Sequence, residues 1–588
     1  MSAMPSSTAA APRSLWIARP WIDLVIGCGG WSLPLLALAF LMPSSTDSRW
    51  PAMFYTLALV ANYPHYMATV YRAYGRADMG RHQLYTVWGT LGLIALGALA
   101  HVQLWLIPFL FTIYVFWSPW HYTGQNYGLL LMFAKRGGLE VTDTTRRSLR
   151  IAFVASYIML LAAFNEGAAS DPLVLSLGLP SAITRTSGAI ALVIFTVAGG
   201  WAIAALSRRS PWRSLIAPVM LYVTQGLWFV APTALSWISG IAVPQTRYSS
   251  GVLALMHSAQ YLWITQYFAK REQGAEWRAS RYWVAVIAGG AALFLPIPWL
   301  ASYAAHVDFT ASVLVVTAIV NIHHFMIDGV VWKLRDTRVA KTLTTEGTAA
   351  ARPTALPETR RRPAGVPTTR TMRRGVEAML RTSLAAVAVL ALAVLAAVDQ
   401  WRYRLVLDAD ASSLQTAVEL NPYDDAAQSR LLSALVAGGR TADARAHLDQ
   451  VLARRPGDVD ALVNAGVLAR RDGRIADAER YWREAVSIAP SAAHVHLYLA
   501  ELLDEANRAG DALPHYRAYL ELVVEQRQVA RPDPRVVIPI ILKFGDSLAL
   551  TGETTSARTQ YELAARMAEQ TGLPEFAAAA RQRLGDGR

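Results

Sequence analysis

Five histidines and an aspartate stand in stretches otherwise apolar enough to enter a lipid bilayer. His65 lies in Asn62-Tyr63-Pro64-His65-Tyr66, His121 in Ser118-Pro119-Trp120-His121-Tyr122 and His257 in His257-Ser258-Ala259-Gln260-Tyr261. His323, His324 and Asp328 share Asn321-Ile322-His323-His324-Phe325-Met326-Ile327-Asp328. Ionisable groups in such surroundings are costly and as a rule face a bundle interior or a cavity, where they mark a functional site. Neutral imidazole is the commonest metal ligand, and four or five together suit iron, copper or zinc better than magnesium or calcium. Asp328 follows His324 by four residues, so a helix puts both on one face, as a ligand set or as a ligand with its orienting acceptor. His323 lies about 100° round the helix from His324. The two reach one metal only with distorted geometry, and a paired site is the alternative. Gln125, Asn126, Gln260, Tyr66 and Tyr122 offer polar groups that would fix imidazole tautomers. Pro64 and Pro119 should loosen their helices just ahead of His65 and His121, a disruption tolerated where backbone lines a cavity. His101 and His306, near the outer ends of apolar runs, and His82, in a basic loop, are set apart from this group.

The elements that position these residues follow from composition. Of 588 residues, 54% are hydrophobic and only 16% charged, against about a quarter charged in soluble domains. Runs long enough to cross about 30 Å of hydrocarbon fall near 21–42, 52–74, 84–104, 105–133, 149–166, 187–207, 213–236, 239–269, 281–303, 309–332 and 382–399, about eleven in all. Basic residues gather after the even-numbered runs: Arg72, Arg76 and Arg81; Lys135 and Arg136; Arg208 and Arg209; Lys270 and Arg271; Lys333 and Arg335. That alternation places the N-terminal tail, 1–20, in the cytoplasm and everything beyond Asp399 outside, which for a bacterial inner membrane is the periplasm. All four histidine-bearing runs are even-numbered. From His65, His121, His257 and His324 to the first basic residue the chain counts seven, fourteen, thirteen and nine residues. At 1.5 Å per residue this is about 10–21 Å, one layer in the inner half of the bilayer. The formal charge of +13 is then a topology signal and does not point to nucleic acid. The single cysteine, Cys28, permits no intramolecular disulfide. After the bundle of about ten helices (21–335), residues 336–380, rich in Thr, Pro, Ala and Arg, read as a disordered cytoplasmic linker, and 381–400 as the eleventh crossing.

From about residue 408 to 570 the pattern changes to amphipathic helices with a fixed period. Pro422, Pro456 and Pro490 are 34 residues apart, as are Ala444, Ala478 and Ala512, and Leu414, Leu448, Trp482 and Tyr516. Gly439 and Gly473 fall at the turn between helices. A later copy, with Gly545, Gly552, Ala557, Tyr561 and Ala564, is displaced by an insertion near Arg527–Pro534, and 571–588 reads as a tail. The pattern resembles the tetratricopeptide repeat, which implies an α-solenoid with a concave surface for a protein partner. The chain as a whole is thus expected to be all-α: a polytopic membrane bundle followed by a solenoid. His447, His494, His496 and His515 in the repeats are expected at the surface.

The membrane half, on His65, His121, His257, His323, His324 and Asp328, resembles the histidine-box membrane oxygenases and desaturases, and more loosely the Brp/Blh-type carotene-cleaving membrane proteins. Of the spaced HxxxH and HxxHH boxes only the His323-His324 pair is present. The resemblance implies non-haem iron and oxygen activation on a lipid-soluble substrate entering from the bilayer, with haem or copper also open. Two other readings stand beside it: a non-enzymatic assembly factor or transporter with structural histidines, and a membrane glycosyltransferase with luminal repeats. The latter expects an acidic pair in the first external loop, Pro43 to Pro51, which offers only Asp47.

Overall fold

The computed structural model describes residues 15–34, 37, 49–74, 83–167, 173–208, 210–239, 248–332, 343, 369–408, 410–525 and 533–586. Outside these lie Asp47, Arg76, Arg81, His82, Arg209, the Lys333–Lys341 basic cluster, the linker up to 368 apart from Leu343, and the insertion at 526–532. Among the described residues the structure is helical, with one isolated bridge between Glu166 and Leu179. The chain divides into two compact units, 1–428 and 429–588.

Among the described residues of the first unit, seven helical stretches, fewer than the eleven expected, are long and apolar enough to cross a membrane: Leu84–Val102, Asp143–Phe164, Ser181–Ser207, Trp212–Ile238, Ala279–Ala305, Phe309–Val331 and Met379–Leu407. The first expected run, 21–42, and the eighth, 239–269, lie partly outside the described residues. Besides the first, the runs absent from this set are those around His65, His121 and His257, where Asn, His, Gln, Ser and Tyr lower the mean hydropathy. They are helical all the same: α1 (Tyr63–Tyr74), α2 (Leu106–Arg136) and α3 (Ala254–Gln273). The fourth histidine-bearing helix is α4 (Phe309–Val331). It packs against α1 and α2, while α3 packs against α1, so the four polar helices are neighbours at the centre of the unit.

Backbone irregularities sit just ahead of two of the histidines. A π-helical turn, Ala58–Asn62, precedes α1, and another, Tyr248–Leu253, precedes α3; such turns accommodate an extra residue and recur at functional sites. Pro64 stands just after the first of these turns, inside a helical run continuous from Arg49 to Tyr74, and does not end it. Pro119 lies inside α2 without ending it. Gly290, on the Ala279–Phe294 helix, allows close approach to α1: a Cβ there would lie 2.5 Å from the Tyr63 carbonyl carbon. The long helix α5 (Thr369–Leu407) starts ahead of the expected crossing at 381 and takes in the end of the expected linker.

The second unit shows the expected period in its backbone. Gly439 and Gly473 adopt left-handed φ of 69° and 75°, and Asn507, a further 34 residues on, does the same at 56°; asparagine tolerates this region better than other side chains. Trp482 is fully buried with Ala478 and Ala485. A Cβ on Gly466 would collide with its indole, whose Nε1 donates to the Val463 carbonyl at 3.1 Å. Gly545 and Tyr561 repeat this pairing in the later copy. The presumed tail instead forms a helix, Pro574–Asp586, with Ala577 and Ala580 in the core. It escaped the sequence pattern because a terminal helix caps the stack and need not keep the period.

The histidines of this unit are not all at the surface, as expected: His447 and His496 are each 7% exposed. His496 donates through Nε2 to the Pro490 carbonyl, 3.0 Å away, and its Nδ1 lies 3.0 Å from His515 Nδ1. Since a carbonyl only accepts, Nε2 carries the proton and His515 donates across the pair. Burial, with His496 and Arg483 alongside, lowers the His515 pKa to about 4. A folded-state value below the ordinary one of about 6.5 means stability that is complete above that value and lost as the pH falls toward 4. Discounted for solvent screening, the loss is about 1 kcal/mol. Amide protection factors along Ala493–Glu505 in the full-length protein, referred to the intrinsic exchange rate at each pH, should fall between pH 6.5 and 4 and should not do so in His515→Gln; an equal fall in both would refute the assignment.

Candidate metal centre

Each histidine of the cluster is delivered by one helix and followed four residues later by a polar side chain on the same face: His65 and Thr69 on α1, His121 and Gln125 on α2, His257 and Tyr261 on α3, His324 and Asp328 on α4. The four rings form a closed circuit. Centroid separations are 5.3 Å for His65–His257, 4.9 Å for His257–His121, 4.8 Å for His121–His324 and 4.7 Å for His324–His65. Imidazoles held tetrahedrally on one ion, with metal–nitrogen bonds of about 2.0–2.1 Å, have centroids roughly 5 Å apart; the four adjacent pairs match this, and the His257–His324 diagonal is longer at 6.1 Å. Within the circuit, ligand atoms of His65, His257 and His324 lie within 4.8 Å of one another, as do those of His121, His324 and Asp328.

Hydrogen bonding leaves the inward nitrogens of His65 and His257 available, while those of His121 and His324 face each other. His65 Nδ1 meets the Asn62 main-chain carbonyl and, at 2.8 Å, the Ser258 hydroxyl; donation to the carbonyl leaves Nε2 with its lone pair. His324 Nδ1 lies 2.8 Å from Thr69 Oγ1, and its Nε2 faces His121 Nε2 at 3.1 Å. Asp328 Oδ2 lies 3.8 Å from both of these Nε2 atoms, while its Oδ1 accepts from Tyr261 at 2.7 Å and Thr69 at 3.2 Å. His257 differs from the rest. It is 1% exposed, its ring stacks on Tyr122 at 4.4 Å, and neither ring nitrogen has a hydrogen-bond partner. Leaving one buried polar atom unpaired costs about 1–3 kcal/mol, so an imidazole with two such atoms fits a ligand awaiting its ion.

The remaining expected residues are distributed as follows. His323 is not brought to the cluster; its Nε2 meets Tyr74 at 3.0 Å and Thr90 at 3.1 Å in a separate niche. Tyr66 packs its ring on His65 at 3.8 Å and donates to Asn321. Gln125 donates to Gln260, which donates to the Gly27 carbonyl, so the two brace the α2–α3 contact beside His257. Asn126 belongs elsewhere: it donates to Gln225, which also reaches Thr123 and Ser156. His101 bonds Gly97 and Ser312, away from the cluster. Thr69, Tyr261 and Ser258, which orient the ligands, were not among the expected supporting residues. Behind Asp328, the Arg72 guanidinium lies between the rings of Phe268 and Trp332, 3.7 and 3.6 Å from their centroids.

A cavity of about 520 Å³ opens beside His121 and Asp328, lined also by Trp117, Trp120, Phe325 and Tyr261. The site therefore has a closed side, at His65 and His257, and a side where a further molecule has room.

Comparison with curated proteins gives no match. Among solved structures the chain is similar to MamA at 13% identity, covering 28% of this chain and 82% of that one, with a TM-score of 0.23. It is similar to a MamA AMB-1 structure at 19% identity (29% and 98% covered, TM-score 0.23) and to PilF of Pseudomonas aeruginosa at 19% (29% and 80%, TM-score 0.23). The tetratricopeptide-repeat family model matches residues 429–492 and 464–525. The 34-residue recurrence of left-handed turns and the Gly466–Trp482 contact fall in or beside this matched segment, which carries tetratricopeptide-type repeats.

Proposed function

We propose that this protein is a polytopic membrane protein that holds a transition metal between four helices and offers its repeats to a protein partner. His65, His121, His257 and His324 are the proposed ligands, with Asp328 as a further ligand or as the acceptor that orients them. The observation that carries the metal is His257, buried with both nitrogens unpartnered inside a circuit of imidazoles. Membrane insertion is supported by α5, where Met379, Leu380, Leu384, Val387, Leu390 and Val394 are 57–73% exposed; water would not tolerate such a face, whereas lipid does. In this reading the polar histidine helices cross within the shelter of the seven apolar ones, the N-terminus is cytoplasmic and the repeats are exported. A set of imidazoles and a carboxylate with an adjoining cavity suits non-haem iron and ligand exchange, so a redox role on a lipid-soluble molecule is the favoured chemistry.

The test is elemental analysis and an absorption spectrum of the full-length protein purified without chelators. About one iron per chain and no Soret band are expected. Protein free of transition metal after isolation and after reconstitution with ferrous iron would overturn the reading, and stoichiometric zinc would replace the redox role by a structural or hydrolytic one.

A further inference from the structure

Three glycines by the cluster have no packing reason to be glycine. Gly124 and Gly128 follow His121 along one face of α2, and Gly329 follows Asp328 on α4. A Cβ built on any of them would meet nothing within 4 Å, in contrast to Gly290. None has the left-handed backbone that would require glycine. Each sits inside a helix, where glycine costs about 1 kcal/mol relative to alanine. What they do preserve is space, because all three line the cavity of about 520 Å³ that reaches His121 and Asp328. That volume falls within the roughly 300–1,000 Å³ of small-molecule sites.

The chemistry of the walls defines the occupant. With the glycines, Trp117, Trp120, Phe325 and Met326 line the cavity, and among the described lining residues there is no lysine or arginine. Of its polar side chains, His121, Asp328 and Tyr261 stand together, Asp328 lying 3.8 Å from His121 and accepting from Tyr261, while Gln125 and Tyr85 also line the wall. Trp117, Trp120 and Tyr85 are 37%, 43% and 43% exposed, so the mouth is framed by aromatic side chains on an apolar outer surface. An aqueous solute would have to cross that surface, while a lipid would already be there. An anionic headgroup would meet the Asp328 carboxylate, with no side-chain cation among the described residues of the wall.

We infer that this cavity binds a neutral long-chain lipid, taken laterally from the hydrocarbon, with its one polar group directed at His121 and Asp328 and its chain along Gly124, Gly128 and Gly329. The inference rests on the membrane reading above and adds to the metal reading the class of molecule placed beside the ion.

The test uses full-length protein in lipid nanodiscs and a long-chain fatty alcohol carrying a diazirine. Photolabelling should concentrate on peptides spanning Trp117–Met132 and Phe325–Val330. Gly128→Phe, which fills the space, should reduce that labelling at least about tenfold, since the ring occupies volume the chain needs. Gly124→Leu should act in the same direction and guards against a folding defect peculiar to the first variant. Gly200→Phe is the control: this glycine too would meet nothing within 4 Å, but it lies exposed on the Ser181–Ser207 helix, so labelling should not change. Metal content should be the same in all of them. Undiminished labelling in both cavity variants, or label spread evenly over the outward faces of the helices, would overturn the site. Equal capture of the matching diazirine fatty acid would overturn the preference for a neutral head. Loss of labelling in the cavity variants of a protein that proves metal-free would leave the lipid site standing and remove the metal.

Discussion

Replacing His257 by phenylalanine should strip the metal from the protein and lower its thermal stability. The sign of the second effect is the informative part. Phenylalanine keeps the ring that stacks on Tyr122 at 4.4 Å and removes two buried nitrogens that bond to nothing in the protein. Were no ion bound, the substitution would relieve unsatisfied polar atoms worth about 1–3 kcal/mol each, and the variant would melt above the parent. With an ion bound, the parent gains about RT ln(1 + [L]/Kd), roughly 4 kcal/mol when free metal is a thousand times Kd. The variant loses that gain along with a ligand. Melting curves of the full-length protein, with and without chelator, separate the cases. The expected result is a variant that melts several degrees below the holo parent and ignores chelator. A variant that melts higher than the parent, with chelator affecting neither, would show that His257 is a strained polar residue and not a ligand.

Much of this centre can be read from the order of residues. Four imidazoles on four even-numbered runs, at overlapping distances from basic residues, are what the structure gathers into one circuit, and the 100° offset between His323 and His324 accounts for His323 facing another niche. The orienting groups carry a signal that is easy to overlook. Thr69, Gln125, Tyr261 and Asp328 each lie four residues after a clustered histidine, a spacing that a helix turns into a shared face. Asn126, five residues after His121, rotates away from that face and joins Gln225. The number of apolar crossings was less legible, because the residues that build a polar centre also lower the hydropathy of the helices carrying it. In the repeats the period fixes the Gly466–Trp482 packing, but burial of His447 and His496 depends on which neighbours close over them, and periodicity does not specify that.

Arg402→Ala should destabilise the first unit by about 3–5 kcal/mol, the usual consequence of removing one member of a buried ion cluster. Arg402 is 4% exposed, and both of its carboxylate partners, Asp399 and Asp424, are 1% exposed. It lies 3.6 Å from Asp399 and in closer contact with Asp424, with its guanidinium 4.1 Å from the centre of the Phe309 ring. Asp399 also accepts from Tyr55 and Trp299. Asp424 accepts from the Ala427 N–H at 3.1 Å, at the start of the helix that begins with Asp425. The adjoining chain is held in the same place: Phe309 N donates to the Tyr423 carbonyl, Tyr303 to that of Leu420, and Asp425 N to Asp308. Without the guanidinium, two carboxylates remain buried and lose their counter-charge, so segment 411–428 should detach from the ends of α4 and α5. The triple change Arg402→Met, Asp399→Asn and Asp424→Asn removes all three charges while keeping the acceptors for Tyr55 and the helix cap. It should recover most of the loss, since a neutral set of similar volume has no desolvation debt. Hydrogen exchange over 411–428 reads both outcomes in the intact protein. Protection that survives Arg402→Ala would mean that the backbone contacts to Tyr423 and Leu420, and not the charges, hold this joint. Failure of the triple variant to regain protection would mean that the aliphatic and guanidinium packing on Phe309 outweighs the ion pairing.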